Sequence, residues 1–415
     1  MEFPASSRPA ADVLDLLANA GQHDVRFREG RLFSLVYGVD EEHARLLADA
    51  YGMYLATNGL GKGFLFQSLG RFEEEVIDGT LSLLGASEGA GNLTSGGTES
   101  IIMGIRAAKQ ARKAAGTLPA DPEVVVPASA HPAFEKACDL MDLRLTRTAL
   151  RADTTADVDA FTAALSERTV AAAGSAPNYP FGTIDPIPAL AAAAAARDIH
   201  FHTDACVGGF ALPWLERAGQ SGIPLWDFRV PGVRTISADV HKYGFGARGT
   251  SLVLYRDRAL QKLATFRLGT WVGGPYVTPT LAGSRPGGSA AAAWAVVQYF
   301  GQEGYGRLHR SLRATAERYM RGVEAAGFRV LGDPPMHLFA FTPRDAGIDA
   351  NAVADDLLGR GWVVLRQPTE PPSLHLLITP PHERVCDEFL RDLAAATEAA
   401  RASGARSGKT SSYTG

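Results

Sequence analysis

Arg234-Thr235-Ile236-Ser237-Ala238-Asp239-Val240-His241-Lys242-Tyr243-Gly244-Phe245-Gly246-Ala247-Arg248-Gly249 is the stretch on which the fold turns. Its first half is a strand-like run, its second half a glycine-rich bend, and Lys242 stands at the junction beside His241. A lysine held at such a point presents its amine to an aldehyde and is a candidate Schiff-base lysine. Taken alone, the dipeptide reads rather as a solvated loop lysine.

Two upstream segments decide between those readings. Phe201-His202-Thr203-Asp204-Ala205-Cys206-Val207-Gly208-Gly209-Phe210 follows an alanine-rich helical stretch, Ile187 to Asp198, and a short strand start, Ile199 to His202. Asp204 therefore falls at the carboxyl end of a strand, the edge at which open α/β sheets bind ligands. A carboxylate there can pair with a protonated pyridine nitrogen and keep the ring cationic, although a turn or helix-capping aspartate would look the same. Asn92-Leu93-Thr94-Ser95-Gly96-Gly97-Thr98-Glu99-Ser100 leads into an amphipathic helical pattern from Ile101 to Lys109. Glycines that free the backbone N–H groups, a hydroxyl and the positive end of a helix dipole make a phosphate cradle. The order of the three carries more than any one of them. A phosphate cradle, a ring-pairing aspartate and then a lysine are the parts that hold pyridoxal 5'-phosphate, and they fit no other common cofactor as well.

With those words the chain resembles the pyridoxal-phosphate-dependent lyases and decarboxylases of fold type I and, within them, is most similar to the sphingosine-1-phosphate lyases. The resemblance is carried by Thr94 to Ile101, His131-Pro132-Ala133-Phe134-Glu135-Lys136-Ala137, Asp204 to Phe210, Asp227-Phe228-Arg229-Val230, Ser237 to Gly244 and Pro279 to Gly288, and it extends from about Tyr37 into the C-terminal region. It implies an α/β fold with a large domain, built on a mostly parallel seven-stranded sheet flanked by helices, and a smaller α+β C-terminal domain. It further implies that Gly97 and Thr98 hold the cofactor phosphate, that His131 stacks on the ring, that Asp204 pairs with the ring nitrogen beside Thr203, and that Ser237 and His241 lie near the phosphate. Lys242 would form the Schiff base and then act as an acid or base at the reacting carbon. Gly283, Ser284 and Arg285 lie in a motif that in relatives reaches the neighbouring subunit's cofactor, which implies a homodimer with shared active sites.

Departures from the family pattern concern the substrate alone. Lyases of phosphorylated long-chain bases use a tyrosine, a histidine and a lysine around the substrate; Tyr37 matches the first, but Gly61 stands for the histidine and Arg248 for the lysine. Arg248 retains a bidentate anion-binding group, and Lys62 is a second cation next to Gly61. Thr270, ahead of Trp271, replaces an acidic residue. The expected activity is carbon–carbon cleavage that releases an aldehyde from a small amine or amino-acid substrate. Decarboxylation, with Arg248 or Arg285 gripping a carboxylate, stands beside it, and an aminotransferase or a non-catalytic cofactor-binding protein behind it.

The rest of the chain agrees with this placement. At 415 residues with 46% hydrophobic content it can bury a large core. A formal charge of −4 supplies no broad basic surface for nucleic acid. Cys138, Cys206 and Cys386 are too scattered for a disulfide framework or a zinc site, which favours a reducing cytoplasm, and no metal is expected. No apolar run reaches the roughly 20 residues that span a bilayer. Helices are expected near Ala11 to Ala20 and Glu41 to Tyr54. Short β-rich runs, Glu123 to Val126, Val170 to Ala173, Thr235 to Ser237 and Ser251 to Tyr255, alternate with helical ones, the pattern of a mostly parallel sheet. A long helix from Ala290 to about Ala325, interrupted near Gly301 to Gly306, leads to strands at Arg329 to Leu331, His337 to Thr342, Trp362 to Arg366 and Ser373 to Thr379. The expected division is an N-terminal segment, 1–60, a large domain, 61–290, a small domain, 291–400, and a disordered tail, 401–415.

Overall fold

A computed structural model describes residues 2–86 and 88–409. Its centre is a seven-stranded sheet made of β1 (Ala90–Thr94), β2 (Glu123–Pro127), β3 (Arg144–Thr148), β4 (Thr169–Ser175), β5 (His200–Asp204), β6 (Val233–Ala238) and β7 (Ser251–Tyr255), in the order β1-β7-β6-β5-β4-β2-β3. Every pairing is parallel except those of β7, which runs antiparallel to both β1 and β6. Of the inner strands, β2, β4, β5 and β7 are buried along their whole length and β6 at all but Arg234, as strands covered on both faces must be.

The helices of the N-terminal half are α1 (Ala10–Ala20), α2 (Glu41–Met53), α3 (Gln67–Leu83), α4 (Gly97–Ala114), α5 (Ala133–Leu140), α6 (Val158–Ala164), α7 (Ile187–Ala195) and α8 (Leu212–Arg217). After α9 (Arg258–Ala264) comes a hairpin of β8 (Phe266–Leu268) and β9 (Tyr276–Thr278), followed by α10 (Gly287–Ala325). The caps are written into the sequence: Asp40, Asp157 and Asp257 each accept a first-turn N–H of α2, α6 and α9. The interruption expected in the long helix is one residue wide, Gly301 at φ 53°, a conformation natural to glycine.

Beyond α10, β10 (Phe328–Val330), β11 (Leu338–Pro343), β12 (Leu365–Gln367) and β13 (Ser373–Leu377) form a four-stranded antiparallel sheet covered by α11 (Ala350–Gly359) and α12 (His382–Ser403). β12 starts later than expected because Trp362 leaves the strand to fill the core: it is fully buried, 6.2 Å from the ring of Phe33.

The N-terminal segment does not stand apart. Phe33 bonds across to Val363 and Leu377 and lies among Tyr319, Trp362, His382 and Phe389, so residues near it are part of the small domain's core. The large domain's expected end at residue 290 falls inside α10, whose apolar face runs on unbroken. The expected tail boundary at 401 moves as well: α12 continues to Ser403, and Ser407 is tied to Asp349 and Arg366, because two charged side chains there supply its partners. Residues 410–415 lie outside the described residues. Among the described residues no helix is long and apolar enough to cross a membrane.

Candidate active site

A cavity of about 320 Å³ opens at the carboxyl ends of the parallel strands, where an α/β sheet places its ligand. Its walls come from the turns after β1, β2, β4, β5 and β6.

One end is built by the start of α4. First-turn N–H groups have no partner within their own helix, so Gly97 and Thr98 present donors and the positive end of the dipole to the cavity. Glu99 fixes this loop by accepting from the Ser95 N–H (2.7 Å) and hydroxyl (2.6 Å) and from the Leu281 N–H (2.8 Å). A Cβ on Gly97 would stand 2.6 Å from Cys206 Sγ and 2.8 Å from Asp239 Oδ2, so only glycine fits there. His241 borders the same end, its Nδ1 accepting from the Thr250 N–H at 3.1 Å, which leaves the neutral ring's proton on Nε2.

The other end is the carboxylate of Asp204, the last residue of β5. Its Oδ1 accepts from the Cys206 N–H and the Ser237 hydroxyl, both at 3.1 Å. Thr203, one residue earlier, is buried and outside the cavity lining. His131 stands on an open side, with Nδ1 accepting from the Ala133 N–H at 3.1 Å.

Lys242 lies between the two ends, its Nζ 3.0 Å from Asp239 Oδ2. Burial works against charge on both groups, but each ion outweighs it for the other: Lys242 holds its proton more tightly than an ordinary lysine, and Asp239 stays below the usual carboxylate range. Behind the lysine, Tyr243 donates to the carbonyls of His337 (3.1 Å) and Ile378 (3.0 Å), which locks the turn to the small domain. Tyr37 sets its ring edge-on against Tyr243 at 5.0 Å, and the Arg248 guanidinium sits 5.3 Å from the Tyr37 ring centre.

Three expected residues lie elsewhere in the chain's own structure. Ser284 accepts from Asn58 at 3.0 Å, and Gly283 presses on Tyr276. Arg285 is not free to grip a carboxylate: its guanidinium bonds the buried Glu73 at 2.8 Å and the Leu93 carbonyl at 3.2 Å. Lys62 is paired to the same Glu73, which removes it as a charge for the cavity. Conversely, Asp239 and Tyr179 line the cavity without having been picked from the sequence. An acid three residues before the lysine was a readable signal for the first. Nothing local marks Tyr179, which arrives on the loop after β4.

The space, the glycine-walled cradle, the fixed carboxylate and the lysine between them suit a phosphorylated pyridine aldehyde. Residues 72–343 match the pyridoxal-dependent decarboxylase conserved domain. The chain belongs to that family. It is 39% identical to a sphingosine-1-phosphate lyase of Arabidopsis thaliana, over 94% of this chain and 72% of that protein, and 37% identical to sphingosine-1-phosphate lyase 1 of Rattus norvegicus, over 94% and 68%. The structure of a Burkholderia pseudomallei sphingosine-1-phosphate lyase superposes with a TM-score of 0.93 at 37% identity, covering 97% of this chain and 94% of that one. The protein is thus a pyridoxal-phosphate-dependent lyase of fold type I, and the expected fold and cofactor hold.

Proposed function

We propose that this lyase cleaves the carbon–carbon bond between the amino-bearing carbon and a hydroxyl-bearing neighbour in a small anionic amine, releasing an aldehyde. When bound, pyridoxal phosphate supplies the electron sink for the breaking bond. Lys242 would hold the cofactor aldehyde, and its Nζ is placed to carry a proton to or from the substrate. Asp204 would accept the hydrogen of the ring nitrogen, His131 would cover the ring face, and Gly97, Thr98 and His241 would serve the phosphate side; Ser237, expected there too, is instead buried against Asp204 at the other end of the cavity. Tyr37 would hydrogen-bond the substrate hydroxyl beside the breaking bond.

The observation that carries the substrate reading is Arg248. It is exposed, rests on the ring of Tyr37 and, among the described residues, has no acidic partner. A guanidinium without a counter-charge beside a phenol is suited to a substrate phosphate or carboxylate near the reacting hydroxyl. The same group would grip the carboxylate of an amino acid, the observation that keeps decarboxylation as the second reading. Product analysis on phosphorylated long-chain bases, β-hydroxy amino acids and amino acids decides: an aldehyde supports the first reading, and CO2 alone refutes it. Lys242→Ala is expected to abolish turnover together with covalent cofactor attachment.

A homodimer with shared sites belongs to the same proposal. Phe64, Leu65, Trp271, Val272 and Leu281 are exposed on the segments that flank Gly283 to Arg285, an apolar surface fitted to a second copy. Sedimentation at twice the chain mass supports it; a monomer over the working concentration range refutes it. The three cysteines are separate buried thiols, in keeping with a reducing compartment, the cytoplasm.

A further inference from the structure

Behind Asp204 the sheet carries a ladder of polar side chains that the proposed chemistry leaves unused. Alternation along a strand puts His200, His202 and Asp204 on one face of β5, and the register sets Thr235 and Ser237 of β6 beside them, with His202 opposite Thr235 and Asp204 opposite Ser237. The contacts form an unbroken chain. His200 Nε2 is 2.8 Å from Thr235 Oγ1, Thr235 Oγ1 is 2.9 Å from His202 Nδ1, His202 Nε2 is 3.2 Å from Ser237 Oγ, and Ser237 Oγ is 3.1 Å from Asp204 Oδ1. His202, Thr235 and Ser237 are wholly buried. The helix above makes room for the ladder: a Cβ on Gly104 of α4 would stand 2.7 Å from His202 Nδ1.

The chemistry of these groups gives the chain one direction. An ionised carboxylate only accepts, so the Ser237 hydrogen goes to Asp204 and its oxygen must receive a hydrogen from His202 Nε2. A neutral imidazole then accepts at Nδ1, so Thr235 donates there and accepts in turn from His200 Nε2. Burial pushes His202 down to about 4 and His200 well below its ordinary value, in keeping with two neutral rings. In the opposite tautomer His202 Nε2 would accept from Ser237, and the hydroxyl hydrogen would be lost to Asp204.

We propose that His202 is a positioning residue of the lyase: through Ser237 it holds Asp204 as an ionised acceptor for the pyridine nitrogen, and Thr235 and His200 hold His202 in the tautomer that permits it. The inference rests on the assignment of Asp204 to the ring nitrogen made above. The other ionisable groups felt by this row are His131, Asp185, Cys206 and Lys242 around Asp204, and Arg234 beside His200.

Nitrogen-15 NMR tests it in two arms. In the unliganded full chain carrying labelled histidine, His202 is expected to be neutral and protonated on Nε2 throughout the neutral pH range. In the holoenzyme loaded with ring-labelled pyridoxal phosphate, Thr235→Val is expected to lower the half-protonation pH of the ring nitrogen by about one unit, a tenfold loss in proton affinity. Thr235→Ser, which keeps the hydroxyl, is expected to restore it. A His202 protonated on Nδ1, or a ring nitrogen unmoved in folded Thr235→Val while Asp204→Asn shifts it, overturns the proposal. A ring nitrogen unmoved in Asp204→Asn as well overturns the assignment beneath it and leaves the tautomer arm to judge the ladder itself. If Thr235→Val does not fold, the tautomer of the native chain decides alone.

Discussion

Asp239 and Lys242 face each other at 3.0 Å where neither charge would be stable alone. The amine must shed a proton before it can attack an aldehyde, and the carboxylate opposes that step. Asp239→Asn removes the attraction and leaves the burial, so the lysine's pKa falls. The pH at which apoprotein captures pyridoxal phosphate half-maximally is therefore expected to move down, as read by the absorbance of the bound aldehyde; an unmoved profile refutes the pairing as its cause. Gly97→Ala drives a methyl against Cys206 and Asp239. An overpacking cost of about 1 to 3 kcal/mol predicts cofactor binding weakened roughly tenfold to a hundredfold, measurable by fluorescence titration. That Lys242, Asp204 and Gly97 face one cavity was readable in sequence, because the proposed chemistry demands those residue types at strand and helix ends. The binding role given to Arg285 was not safe to read, since its true partner, Glu73, lies on another helix with nothing in either segment to announce the pair.

That pair matters for the elements as well. Glu73, on α3, is almost wholly buried and holds both Lys62 and Arg285, while Arg285 reaches the carbonyl of Leu93 on β1. One carboxylate thereby joins a helix, a strand and the loop that leads into α10. Glu73→Ala strands a nearly buried guanidinium and is expected to destabilise the fold by about 3 kcal/mol, with Glu73→Gln falling between the two in thermal unfolding. A melting temperature unchanged in Glu73→Ala would refute this. Elements differ in how plainly the sequence announces them. β2 and β6 are runs rich in β-branched residues and β7 is a short apolar run ending in tyrosine, each between breakers and plain in the sequence. β1, Ala-Gly-Asn-Leu-Thr, has little strand propensity and owes its form to antiparallel pairing with β7. β3 is an edge strand whose arginines and threonines are mostly solvent-facing or half-buried, and it too carries no apolar run.

Across the whole molecule the buried histidines tie stability to pH. Seven of the ten histidines, His43, His200, His202, His309, His337, His375 and His382, are buried, and burial, the foremost cause in each, holds every one of them below the ordinary value. The unfolded chain binds protons on these rings as the pH drops through about 6.5, whereas the folded chain does not until the pH reaches about 4 at His202, His375 and His382. In that interval the unfolded state carries more protons, so stability rises with pH and is lost on acidification. Asp185 acts in the opposite sense, because burial raises its carboxyl to about 7 and the folded chain takes up that proton first, but it is one group against several. Thermal unfolding followed from neutral pH down to pH ~5 is thus expected to show a stability loss on the order of a few kcal/mol per pH unit. Replacing the His309–His337 contact, 3.0 Å between ring nitrogens at the seam between α10 and the small domain, by His309→Phe removes one of those rings. That variant is expected to flatten the acid limb by about 1.4 kcal/mol per pH unit, the contribution of a single group. An acid limb just as steep in the variant would show that the protons are taken up elsewhere.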